Sequence, residues 1–135
     1  MEKITVKTTI DAGIEKVWLY FTSAEFIKQW NNASPDWHTP EASNDLSVGG
    51  SFSYTMAAKD GSFSFDFEGI YDDVQENKHI AYTIADGRKV EVFFEVADDK
   101  TKVTETFEAE SQNPIDMQRA GWQAILDNFK KLVEG

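Results

Sequence analysis

The 135-residue sequence contains no cysteine, only two histidines and only three prolines. Without cysteine there is no disulfide framework, no thiolate metal site and no cysteine nucleophile. His38 and His79 lie far apart in the chain. Neither belongs to an HxxxH or HExxH spacing, and no His/Asp/Glu set has ligand spacing, so no metal site is expected. GxSxG, GxGxxG and the P-loop pattern are missing, and Gly49-Gly50 before a strand reads as a turn, so no cofactor is expected. No apolar run approaches the roughly 18 residues that span a bilayer. The start, MEKITVKTTI, enters a strand at once and carries no apolar h-region. The expectation is a cytoplasmic protein with no membrane insertion. Positive charge is also scarce: 13 Lys and Arg face 24 Asp and Glu, for a net charge of −11. Such a surface repels phosphate backbones and anionic headgroups, which argues against a nucleic-acid partner. The acids are scattered and read as a solvated face.

Large rings, by contrast, are abundant. Ten Phe, four Trp and four Tyr bring aromatics to 13%, more ring surface than folding alone requires and the composition expected around an apolar pocket. The length fits one domain, 1–135, with a core of its own. Ile4, Val6, Thr8 and Ile10 alternate with polar residues as a first strand. Ile14, Val17, Trp18 and Phe21 then share one face of a short helix, and Thr22-Ser23-Ala24-Glu25 has the pattern of a capping box opening a second. Residues 31–50 read as loop with one short strand near Trp37 to Thr39. From Ser51 the period is two: Phe52/Tyr54/Met56, an Asp60-Gly61 turn, then Phe63/Phe65/Phe67. Gly69 inside that strand predicts a bulge or bend. Strands around Ile80/Tyr82/Ile84, Val90/Val92/Phe94/Val96 and Val103/Glu105/Phe107 follow. One apolar face per strand means one covered face of an antiparallel sheet.

The only element long enough to cover it is the closing helix, Pro114 to Val133. Ile115, Trp122, Ile125, Leu126, Phe129, Leu132 and Val133 fall in an arc of roughly 120°. A polar residue, Gln118, sits at the middle of that arc and Gly121 at its edge. A single helix on a curled sheet, with a polar group on its buried face, predicts a container.

In order along the chain, Val17-Trp18, Phe21-Thr22, Trp30, Gly49-Gly50-Ser51-Phe52, Gly69 to Val74, Thr101-Lys102-Val103-Thr104 and Gly121-Trp122 with Leu126 and Leu132 carry a resemblance. The sequence resembles the START-like (SRPBCC, birch-pollen-allergen-like) superfamily, and within it the bacterial relatives of the activator of heat-shock-protein-90 ATPase. The resemblance implies an α+β helix-grip fold: a curved antiparallel sheet of six to seven strands on one long C-terminal helix, with two short helices after strand one. It implies a cavity between sheet and helix that relatives use for lipids, sterols, polyketides or other apolar molecules. A chaperone is the alternative partner, as for the eukaryotic activators, and fold analogy alone does not choose.

The candidate cavity-lining residues are Phe26, Trp30, Trp37, Tyr54, Phe65, Tyr82, Phe94, Glu105, Gln118 and Trp122. Gln118 must meet a water, a ligand or a backbone group, because a buried amide without a partner is costly. Glu105 shares its parity with Val103 and Phe107, so its carboxyl faces the pocket or pairs at the rim. Tyr54 and Tyr82 point hydroxyls inward or pack as core. Trp30, Trp37 and Phe26 line the mouth. No catalytic residue is assigned, and binding is favoured over catalysis. A cyclase- or hydrolase-type enzyme would require Glu105, a tyrosine and Gln118 to converge on one point.

Overall fold

The computed structural model describes residues 2–135. Its order is β1 (Lys3–Ile10), α1 (Ile14–Thr22), α2 (Ala24–Trp30), β2 (Trp37–Asn44), β3 (Ser51–Ala58), β4 (Ser64–Gln75), β5 (His79–Ile84), β6 (Lys89–Ala97), β7 (Lys100–Glu108) and α3 (Ile115–Glu134). The seven strands form one curled antiparallel sheet in the order β1-β7-β6-β5-β4-β3-β2. Each strand from β2 to β7 therefore pairs with its sequence neighbour, and β1 closes on β7 with Val6 opposite Glu105. This is the α+β helix-grip arrangement.

Alternation places the inward rows as expected: Val90, Val92 and Phe94 on β6, and Val103, Glu105 and Phe107 on β7, are all buried. Their outward neighbours are mostly polar, Lys89, Glu91 and Glu95 on β6 and Lys102, Thr104 and Thr106 on β7, with Phe93 the apolar exception. The closing helix lies within one residue of its expected bounds. Its second half is the packed half. Leu126, Phe129 and Val133 are essentially inaccessible to water, and Phe129 meets Phe21 and Trp30 edge-on. The backbone of α3 approaches β1, α1 and α2 closely, and Trp122 reaches from it onto Phe107 of β7.

Three local expectations are corrected. The short strand near Trp37–Thr39 runs on to Asn44. Pro40 interrupts its ladder, with a register shift between His38 and Glu41, and is tolerated because β2 is an edge strand. The capping box does not form: Thr22 is the last residue of α1, and its hydroxyl donates back to the Trp18 carbonyl at 2.8 Å. Ser23 takes the cap position without a side-chain bond. Gly69 is not a bulge either. It pairs regularly with Phe52 and Ile84, and the irregularity falls between Tyr71 and Asp73. A Cβ at position 69 would lie 2.6 Å from the Thr83 carbonyl oxygen and 2.9 Å from the Phe52 ring. The glycine lets that ring lie flat across the strand.

Candidate functional site

Under the first half of α3 lies a cavity of about 290 Å³. Nine of its seventeen lining residues are aromatic, three are Met56, Ile80 and Ile125, and five are polar: Thr22, Asn31, Arg88, Glu105 and Glu110. The walls follow from strand parity. Phe52, Tyr54 and Met56 project from β3, Phe65, Phe67 and Tyr71 from β4, Tyr82 from β5 and Glu105 from β7. The roof is Trp122 and Ile125 of α3. Trp122 stacks on Phe107 at 3.9 Å between ring centroids, 12° from parallel, and meets Phe67 edge-on.

Of the ten candidate residues, Trp30, Tyr54, Phe65, Tyr82, Glu105 and Trp122 come together around this space; Phe26, Trp37, Phe94 and Gln118 do not. Phe26 points away and stacks on Tyr20 at 3.9 Å. Trp37 packs outside against Phe63 and Phe65. Phe94 lies deeper, edge-on to Trp18 and Phe21, where the two short helices plug the sheet. Gln118 is buried, but its amide is consumed by the loop leading into its own helix. Its Oε1 accepts from the Glu110 N–H at 2.9 Å, and its Nε2 donates to the carbonyls of Glu110 and Asn113 at 3.1 and 2.8 Å. The convergence of Glu105, a tyrosine and Gln118 that a proton-moving enzyme would need is therefore not there.

Polar groups on the short-helix side of the cavity are also committed. Tyr71 donates to Asn44 Oδ1 at 2.6 Å, and Asn44 donates in turn to the Thr22 carbonyl at 2.6 Å. Thr39 donates to the Asn31 carbonyl at 2.7 Å. Trp30 donates its indole N–H to the Tyr20 carbonyl at 2.8 Å. Near the β5–β6 turn, Arg88 is tied to Asp86 Oδ2 at 2.8 Å and to the Glu108 carbonyl at 3.1 Å. Arg88 and Glu110 also line a second, shallower depression with Glu2 and Asp86, so they stand where the cavity meets the surface.

Glu105 has no such bond, and the Tyr82 hydroxyl has none either. Glu105 is 7% exposed, and burial alone, with no cation or hydrogen bond to offset it, pushes its carboxyl up to about 8. No fully enclosed side-chain nitrogen or oxygen among the described residues lacks a partner. The Glu105 oxygens, unbonded, therefore open onto cavity space. Burial likewise raises Tyr82 well above its ordinary value, and the nearby Glu105 charge raises it further. Burial raises Tyr54 strongly and pushes Tyr71 up to about 12. At neutral pH the interior thus holds three phenols and one carboxyl that is mostly protonated.

Parity on β3 and β4 already pointed Phe52, Met56 and Phe67 inward, although they were not among the candidates. Arg88 and Glu110 carried no signal, being a turn residue and a post-strand residue whose positions depend on the curl of the whole sheet. His38 is exposed, and His79, on the other face, bridges Asp73 and Glu91 at 2.7 and 3.0 Å. Among the described residues no cluster of His, Asp or Glu could hold a metal ion, and no helix is long and apolar enough to cross a membrane.

The family model described as Activator of Hsp90 ATPase homolog 1-like protein matches residues 11–134. The chain belongs to that family. The solution structure of an AHSA1-like protein from Aeromonas hydrophila is 45% identical, with a TM-score of 0.93 over 98% of this chain and 92% of that one. A protein from Cytophaga hutchinsonii is 54% identical, with a TM-score of 0.86 over 98% and 92% of the two chains. A more distant structure, of an Aha1 dimer from Colwellia psychrerythraea, shares the fold at 19% identity, with a TM-score of 0.78 over 99% and 97% of the two chains. No curated protein matches the chain significantly.

Proposed function

We propose that this family member binds an apolar, ring-bearing small molecule between β3–β5, β7 and the first half of α3. One observation carries the reading: about 290 Å³ of space walled by nine aromatic residues is left between a regular sheet and a well-formed helix. A core of this size ordinarily closes such a space, since interiors pack to crystal-like density. Pockets for small molecules have this make-up, apolar walls with a few placed polar groups.

The test is a chemical-shift screen with small aromatic and aliphatic compounds on labelled protein, repeated on Ile125→Trp, which fills the space from the roof. Binding by the native chain with shifts at Trp122 and Tyr82, abolished in the folded variant, is the expected result. Failure of every compound to shift any lining residue would refute the reading.

A second reading is a surface that contacts a chaperone of the Hsp90 type, as the family's description suggests. It is favoured by the aromatic cluster at the β3–β4 hairpin, where Phe63 and Phe65 are 60% and 43% exposed beside Trp37. Calorimetric titration with such a chaperone, using Phe63→Ser as the variant, tests it; equal heats for both proteins would dismiss this surface.

A further inference from the structure

The polar end of the cavity specifies the charge of its occupant. Glu105 is the one lining carboxyl that is almost wholly buried, and it has no partner. Arg88, the only cation among the described residues of the lining, is already held by Asp86 and a backbone carbonyl. The remaining charged group, Glu110, is acidic, as are Glu2 and Asp86 in the adjoining depression. Rings whose faces carry negative quadrupole charge line the same space, among them Phe67, Tyr71, Tyr82 and Trp122, with Tyr82 close enough to feel the Glu105 charge. An anionic ligand such as a fatty acid would find in Glu105 a hydrogen-bond donor only while that carboxyl stays protonated, and would turn its charge toward the negative ring faces. A cation meets both the carboxyl and the ring faces. The surplus of acids over the whole chain favours the approach of positive solutes.

From this geometry we propose that the cavity is a site for an organic cation, a protonated primary or secondary amine on an aromatic body, with Glu105 as its counter-ion. Its volume of about 290 Å³, against the ~30 Å³ that one water occupies in the liquid, admits a body of about ten heavy atoms. The inference rests on the reading of the cavity as a small-molecule site and adds the charge of the group bound there.

Binding an ammonium requires Glu105 to be ionised, so uptake of the ligand releases its proton. The other ionisable groups facing the cavity are Tyr54, Tyr71 and Tyr82 from β3, β4 and β5, Arg88 before β6, and Glu110 after β7. The lining residues of α3, Trp122 and Ile125, carry none, and the β1 and β6 residues opposite Glu105 are Val6 and Val92. The phenols stay neutral across neutral pH.

The experiment compares three probes of closely similar size, 2-phenylethylamine, 2-phenylethanol and phenylacetate, by NMR titration between about pH 6 and 8. The amine is expected to bind at least about tenfold tighter than the alcohol at the upper pH. Its affinity should rise by up to about tenfold per pH unit below the Glu105 titration, while that of the alcohol stays flat. Glu105→Gln should abolish both the preference and the slope and keep the alcohol. Should that variant not fold, the slope in the native protein decides alone. Equal or tighter binding of the alcohol or the acid would overturn the cation proposal and leave the small-molecule reading standing. Binding of none of the three would overturn both.

Discussion

Replacing Glu105 by glutamine keeps the shape of the side chain and removes its titration, and the consequence for stability has a definite sign. In the unfolded chain this carboxyl titrates near 4.5, and in the folded protein burial moves it to about 8. Between those values the folded state holds a proton that the unfolded state has released. Stability is therefore full below about pH 4.5 and falls as pH rises, until both states are ionised above about pH 8. At about 1.4 kcal/mol per pH unit, the full span is worth roughly 4 to 5 kcal/mol. Water reaching the carboxyl through the cavity lowers this, and half of it, about 2 kcal/mol, is still well resolved by denaturant unfolding.

Glu105→Gln should therefore match the native protein near pH 4 and exceed it in stability by about 2 kcal/mol or more near pH 8. The difference between the two proteins matters, not either curve alone. Asp60, Asp73, Asp86 and Glu134 are all held below their ordinary values by hydrogen bonds or neighbouring cations. They add an opposite dependence at acid pH that cancels on subtraction. Urea unfolding at several pH values, with a carbon-detected titration of the Glu105 carboxyl, gives the measurement. Parallel stability curves for the two proteins, or a carboxyl titrating near 4.5, would refute the placement of Glu105 in an unpartnered, desolvated site.

Gln118→Ala should cost about 2 to 3 kcal/mol in urea unfolding, because three hydrogen bonds at the start of α3 are lost and the Glu110 and Asn113 groups are left short of partners. The two glycines of the cavity region should respond in opposite directions. Gly121→Ala should raise stability by about 0.5 to 1 kcal/mol, since its Cβ meets nothing within 4 Å and alanine favours a helix interior. Gly69→Ala should lower it by about 1 to 3 kcal/mol, because its Cβ would collide with a backbone carbonyl and the Phe52 ring. Thermal unfolding of both variants checks the pair, and a stabilised Gly69→Ala would contradict the close approach of Phe52.

What could be read from the sequence was whatever depends on local period. Alternation on β3 to β7 put Tyr54, Tyr82 and Glu105 on the inner face, and the 3.6-residue period put Gln118 and Trp122 on the buried face of α3. Period does not say how far along a face the cavity extends. Phe94 and Glu105 share the inner face of the sheet, yet Phe94 falls under the plug made by α1 and Glu105 falls beyond it. Nor does it say which buried polar group already has a partner. Gln118 and Glu105 looked alike as polar residues on apolar faces, and what separates them is the loop 110–113, which reaches one and not the other. Phe26 was misplaced for a similar reason: its neighbour Tyr20 lies across the helix–helix corner, and the path of that corner was not encoded in either helix.

The cavity is held open by α3 rather than left over by poor packing. The second half of the helix is anchored where Phe129 meets the stacked Phe21 and Trp30 rings edge-on. Had the first half been free to settle, apolar burial at about 25 cal/mol per Å² would have drawn it onto the sheet. Two contacts oppose that collapse. The Gln118 amide bonds to the 110–113 segment and sets the height of the helix start, and the flat stack of Trp122 on Phe107 gives the roof a rigid prop at the edge of the space. Each spends good interactions on keeping a gap. The gap contains the buried carboxyl that weakens the fold as it ionises. Departures from close packing and from paired polar groups thus coincide at one place in an otherwise consistent structure, as the proposed binding site requires.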